Sequence, residues 1–139
     1  MSTKKKVKNS QRKKSPIASG IVWFEIPADD IARARKFYSA LFGWKITKFP
    51  AAMEDYWHID TGGSDASPDG GMLKKKAPEH TITNYVSVPS VERAAAKVEK
   101  LGGKTLMTRT AVPHMGYFAI CHDTEKNMFA LWEKDENAK

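Results

Sequence analysis

Cysteine is almost missing from this chain, and the one thiol, Cys121, excludes an internal disulfide framework and fits a reducing compartment. It is read as a buried, inert side chain. No apolar run approaches the length of a membrane span. The first residues are basic with no apolar stretch behind them, so no secretory signal is expected and a cytoplasmic protein is. Also missing are a GxGxxG turn, a phosphate loop, a CxxC pair and a nucleophile elbow. Nucleotide cofactors and acyl transfer therefore lack support, and no cofactor is expected. The histidines His58, His80, His114 and His122 never fall four apart, so no helical metal pair exists in the sequence.

Acidic residues are missing from the first fifteen positions, which hold Lys4, Lys5, Lys6, Lys8, Arg12, Lys13 and Lys14. The whole chain carries a net charge of +7, so those seven account for the excess and the remainder is balanced. The high isoelectric point belongs to a tail. Residues 1–16 are expected to be disordered and solvated, with only Val7 to anchor them. Such a tail attracts nucleic acid or another acidic partner weakly and in a salt-sensitive way. Residues 17–137 are expected to form one domain, built from two halves sharing a core.

What is present after the tail is a pattern that occurs twice. Ile21–Pro27 alternates as a strand. Asp29 or Asp30 then caps a helix with the stripe Ile31, Ala34, Phe37, Tyr38 and Leu41, and Gly43 ends it. Strands follow around Trp44–Phe49, Asp55–Thr61 and Gly71–Lys75, with a polar, glycine-rich loop over Gly62–Gly71. The second half runs through a strand at Thr81–Val88 and a Ser90 cap to the stripe Val91, Ala94, Ala95, Val98 and Leu101. Gly102 and Gly103 stop that helix, and strands fit Lys104–Val112, Tyr117–His122 and Asn127–Glu133. The segments "IPADDIARARKFYSALFGWKI" and "VPSVERAAAKVEKLGGKTL" echo each other. Each half is strand, helix and three strands, and neither buries both faces of its sheet alone. Duplication gives an α+β fold of two βαβββ modules, about 20–76 and 81–134, whose curved sheets surround a cleft.

Within "IVWFEI" the face carrying Ile21, Trp23 and Glu25 sets a carboxylate among bulky apolar groups. The segments "VWFEIPADDIARARKFYSALFGWKI", "VERAAAKVEKLGGK" and "GYFAICHDTEKNMFALWE" resemble the vicinal oxygen chelate superfamily. That group comprises glyoxalase I, the bleomycin-resistance proteins and extradiol dioxygenases, and small glyoxalase-like proteins are its most similar branch. The resemblance covers about Ile21 to Lys134 and departs at "DTEKN", where relatives carry proline and glycine. It implies a homodimer, and in metal-dependent members four inward side chains that hold a divalent cation. Here those positions align with Trp23, Met72, Thr83 and Ala130, none a normal donor.

The face of Trp23 and Glu25 is therefore expected to look into the cleft. Trp23, Glu25, Met72, Thr83, Tyr85, Ala130 and Trp132 become the candidate ligand-binding residues, with no metal site. The bland alternative is that Trp23 fills a collapsed barrel. Glu25 is the candidate catalytic base, or else the partner of a lysine such as Lys74. The expected function is metal-independent binding of a small organic molecule against aromatic walls. The rival is a lyase or isomerase of the glyoxalase I kind, or a dioxygenase-like enzyme, using a displaced metal site.

Overall fold

A computed structural model describes residues 19–50, 55–63 and 67–139. The expected tail, residues 1–16, lies outside them. Strand β1, Ile21–Ala28, leads into helix α1, Ile31–Phe42. The chain caps that helix with Asp30, whose carboxylate accepts the Arg33 N–H at 2.9 Å. At the other end Gly43 takes a left-handed φ of 74° that a Cβ would resist, and its N–H reaches the Ser39 carbonyl. Strands β2 (Lys45–Lys48), β3 (Tyr56–Asp60) and β4 (Gly70–Lys74) complete the first module. The second comprises β5 (Thr83–Ser87), α2 (Val91–Lys100), β6 (Lys104–Val112), β7 (Gly116–His122) and β8 (Met128–Lys134). Ser90 caps α2 by accepting the Arg93 N–H.

The expected α+β fold of two βαβββ modules is what the structure shows. All eight strands join one curved sheet in the order β2-β3-β4-β1-β5-β8-β7-β6. Each module closes by a parallel pairing of its first and last strands, β1 with β4 and β5 with β8. The modules meet where β1 runs antiparallel to β5.

Both helices cover the same face. Phe24 and Ile26 point to the side that α1 packs on, with Ile46, Ile59 and Met72. Across the join, Val86 lies opposite Leu131, and Leu131, Ala119 and Cys121 form the core under α2 with the fully buried Val91. Burial pushes the Cys121 thiol above its ordinary pKa, as an inert thiol requires, and His122 alternates to the other face. Trp23, Glu25, Tyr85 and Ala130 are left on the face that neither α1 nor α2 covers, helix-free among the described residues.

Three stripe residues depart from expectation. Phe37 and Leu41 are each 58% exposed and Leu101 is 68% exposed. Periodicity assigned them to a core side, but α1 buries no residue fully, and only Ile31, Ala34 and Tyr38 of its stripe pack on the core. The strand that follows α1 is just four residues long and offers little surface to cover. Gly70 and Gly71 also leave the expected loop, because both are buried strand residues of β4.

Candidate functional site

Glu25 is the centre of the helix-free face. The β1–β5 register sets Trp23 beside Tyr85 and Glu25 beside Thr83, so alternation delivers all four side chains to one side. From the other flank, β3 contributes Tyr56 and His58, and the β3–β4 register sets His58 opposite Gly71. Gly71 matters through what it lacks. A Cβ there would run into the Tyr56 hydroxyl and ring, so only glycine lets that ring lie across β4 and reach β1.

Three hydrogen bonds then form a chain. The Trp23 indole N–H donates to the Tyr56 hydroxyl at 2.9 Å, and that hydroxyl donates to Glu25 Oε2 at 2.6 Å. The Tyr85 hydroxyl donates to Glu25 Oε1 at 2.8 Å. An indole can only donate, which fixes the direction: Tyr56 accepts from Trp23 and turns its own proton to the carboxylate. Both phenols are 8% exposed. Burial first, and the neighbouring Glu25 charge and hydrogen bond second, push both far above the ordinary tyrosine pKa. They stay protonated donors, and each carboxylate oxygen receives one hydroxyl.

Rings frame this node. His58 stacks on Trp23 with centroids 5.6 Å apart and bonds Asp69 through Nε2 at 3.0 Å. Phe49 sets its edge against both Tyr56 and His58. On the second module Phe118 lies 6.4 Å from Tyr85, and the register puts Trp132 beside Phe118 and Ser87. Trp23, Glu25, His58, Phe118 and Trp132 are only half-buried.

Of the seven residues read from the sequence, six share this face, though not on equal terms. Trp23, Glu25 and Trp132 keep open surface, and Tyr85 is a buried donor. Thr83, 1% exposed, donates to the Thr81 carbonyl, and Ala130 is fully buried. Both form the floor. Met72 is a correction: it is fully buried in the core under α1, on the opposite face, and Gly71 holds the position assigned to it. A strand that opens on two glycines gives no alternation from which to read its parity. The ion pair weighed for Glu25 does not form either, since Lys74 Nζ donates to the Asp29 carbonyl instead.

Tyr56 is the participant that sequence reading missed. Its signal was the alternation of Tyr56 with His58 in "DYWHID", but its importance depends on a glycine fifteen residues away and a carboxylate in another strand. Two open hollows, of about 360 and 470 Å³, lie beside the start of α1 and the β4–β5 connection. Neither is lined by Trp23, Glu25, Tyr85 or Trp132.

The four positions that the resemblance aligned with metal ligands, with Gly71 in place of Met72, present an indole, a glycine, a buried threonine and a buried alanine. Among the described residues no three of histidine, cysteine, aspartate and glutamate converge. This donor set does not fit a family-type divalent cation.

Residues 20–62 match the family described as bleomycin resistance protein-like N-terminal. The chain is 36% identical to a glyoxylase-like domain-containing protein of Didymella fabae, over 77% of this chain and 88% of that one. It is 26% identical to the anthracycline biosynthesis protein DnrV of Streptomyces peucetius, over 81% of this chain, and spans only 46% of that longer protein. Among solved structures, methylmalonyl-CoA epimerase from Mycobacterium tuberculosis superposes with a TM-score of 0.63 at 12% identity, over 86% of this chain and 90% of the other. That likeness establishes the shared fold.

Proposed function

The chain belongs to the vicinal oxygen chelate (glyoxalase/bleomycin-resistance/dioxygenase) superfamily, and from that premise we propose that it binds a small organic molecule on its helix-free face without a metal. The observation that carries this is the half-exposed aromatic surface around Glu25. A sheet face with Trp23, His58, Phe118 and Trp132 only partly covered leaves apolar area in water, and covering it is favourable by about 25 cal/mol per Å². Glu25, already oriented by two hydroxyls, supplies the polar contact that fixes a ligand's orientation. The name of the Streptomyces relative, anthracycline biosynthesis protein, supports a planar or polycyclic class of ligand.

Metal independence rests on the donor set. Losing one of four ligands leaves a weakened site, whereas an indole, a glycine, a threonine and an alanine leave none.

Native mass spectrometry of the untagged, full-length protein tests both parts and gives the copy number, which the resemblance sets at two. The expected spectrum shows a small organic adduct or a binding-competent apoprotein, with well under one equivalent of divalent metal. A stoichiometric metal ion whose removal by a chelator also removes an activity overturns the reading. Trp23→His alone creates no glyoxalase activity, because three donors are still missing.

A further inference from the structure

Among the described residues, the charge of Glu25 on the helix-free face meets no ion-pair partner. The ion pairs among the described residues are Arg33–Asp30 and Lys48–Asp55, His58 contacts Asp69, and none of these involves Glu25. Both oxygens of Glu25 accept hydrogen bonds from neutral phenols instead. Two phenols and an indole thus hold a carboxylate in place without neutralising it. Beside it the half-buried Trp23 offers an indole, whose π-face attracts a cation.

From this we infer that the ligand is an organic cation, an alkylammonium or a similarly diffuse positive group, held against Trp23 and paired with Glu25. The inference rests on the ligand-binding reading above and adds the charge of the ligand to it. Three features agree. An anion would meet the Glu25 charge directly, and a neutral apolar group would leave it uncompensated in a drying site. A compact, strongly hydrated cation would gain little from rings, whereas an alkylated ammonium brings both apolar surface and charge. The hydrogen-bond chain Trp23–Tyr56–Glu25–Tyr85 also fixes the carboxylate before the ligand arrives, so little ordering cost is left for binding. Tyr56 and Tyr85 act here as positioning residues.

The test uses two probes of equal shape, choline and its neutral isostere 3,3-dimethylbutan-1-ol, titrated into the full-length protein. The indole N–H resonance of Trp23, assigned through Trp23→Phe, reports occupancy. Choline should bind about tenfold more tightly than the alcohol, and Glu25→Gln should bring the two within about twofold of each other. Glu25→Asp keeps the charge and should keep the preference, which guards against a folding defect in the glutamine variant. Equal affinity for both probes in the unmodified protein overturns the cation inference while leaving small-molecule binding on this face intact. If neither probe shifts the Trp23 signal or any other on this face at tens of millimolar, the cation inference falls too, and the ligand-binding reading is judged separately by the mass spectrum.

Discussion

The two modules have the same order of elements but hold their helices differently. In the second, Val91 at the start of α2 is fully buried, and its N–H donates to the Glu133 carboxylate of β8 at 3.0 Å. Ala94, Ala95 and Val98 continue into the core. In the first, no residue of α1 is fully buried. Its place is kept by Ile31, Ala34 and Tyr38, and by Arg35, whose guanidinium lies 3.8 Å over the Trp57 ring and donates to the Ile46 carbonyl. The end of α1 carries Phe37, Leu41 and Phe42 largely in the open, with Tyr38 and Phe42 gathered around Trp44. Repeating an arrangement therefore does not repeat its energetics. One copy is anchored by buried aliphatic contacts, the other by aromatic and cationic contacts at the margin.

The sharpest way to break this comparison is to truncate one leucine in each module. Leu131→Ala removes a 5% exposed side chain from beneath α2 and should cost about 2–5 kcal/mol, whereas Leu41→Ala should stay within about 0.5 kcal/mol. Thermal or urea unfolding reads both. Similar losses would mean that α1 is as well anchored as α2.

The join between the modules offers the next largest effect. Tyr56 comes from one module and Tyr85 from the other, and both meet Glu25. Their folded pKa values lie well above the ordinary 10.0, so above pH 10 the unfolded chain releases protons that the folded one keeps. The stability these phenols contribute is whole below pH 10 and declines as pH rises past it, by up to about 2.7 kcal/mol per pH unit for the pair. Urea unfolding at pH 9, 10 and 11 measures that slope, and the double variant Tyr56→Phe/Tyr85→Phe should lack this part of it. An unchanged slope would show that the two hydroxyls are not buried as described.

Smaller is the contribution of Arg35. Replacing it by alanine should cost about 1 kcal/mol, mostly by loosening α1. Hydrogen exchange should then show faster opening of α1 with α2 unaffected. Uniform acceleration across both helices would contradict separate anchoring.

The smallest effect concerns the β7–β8 turn. Asp123 accepts the N–H groups of Glu125 and Asn127, and these contacts hold its carboxyl below the ordinary aspartate pKa. The turn costs a left-handed Lys126, with φ of 66°. Lys126→Gly should raise stability by about 0.5 kcal/mol, with a shift in Tm of a few degrees at most. A loss of stability would mean that the Lys126 side chain contributes something the backbone geometry does not reveal.

Most of the fold was legible because its signals are local. Asp30, Ser90 and Gly43 cap helices through contacts within four residues, and "IVWFEI" declares its two faces by alternation. The errors arise where a distant part of the chain decides. Nothing inside "GGMLK" says which side Met72 takes; the pairing of β4 with β1 does. Nothing inside α1 says how far the sheet beneath it extends, so Phe37 and Leu41 were given a core that does not reach them. For the candidate site, the face of Trp23, Glu25, Tyr85 and Trp132 could be read, but the hydroxyl of Tyr56 could not.

The parallel pairing that closes each module also sets an order of assembly. Phe24 meets Gly70 and Tyr85 meets Ala130, so each closure spans roughly 45 residues and can proceed without the other half. The antiparallel contact of β1 with β5 brings together strands that belong to different closures. Glu25 gathers Tyr56 through the first closure and Tyr85 through the β1–β5 contact, so the full Trp23–Tyr56–Glu25–Tyr85 chain is expected to complete late, once the modules have joined. In stopped-flow refolding, the emission of Trp23 should settle after the helical signal does, giving a clock for the moment when two half-proteins become one.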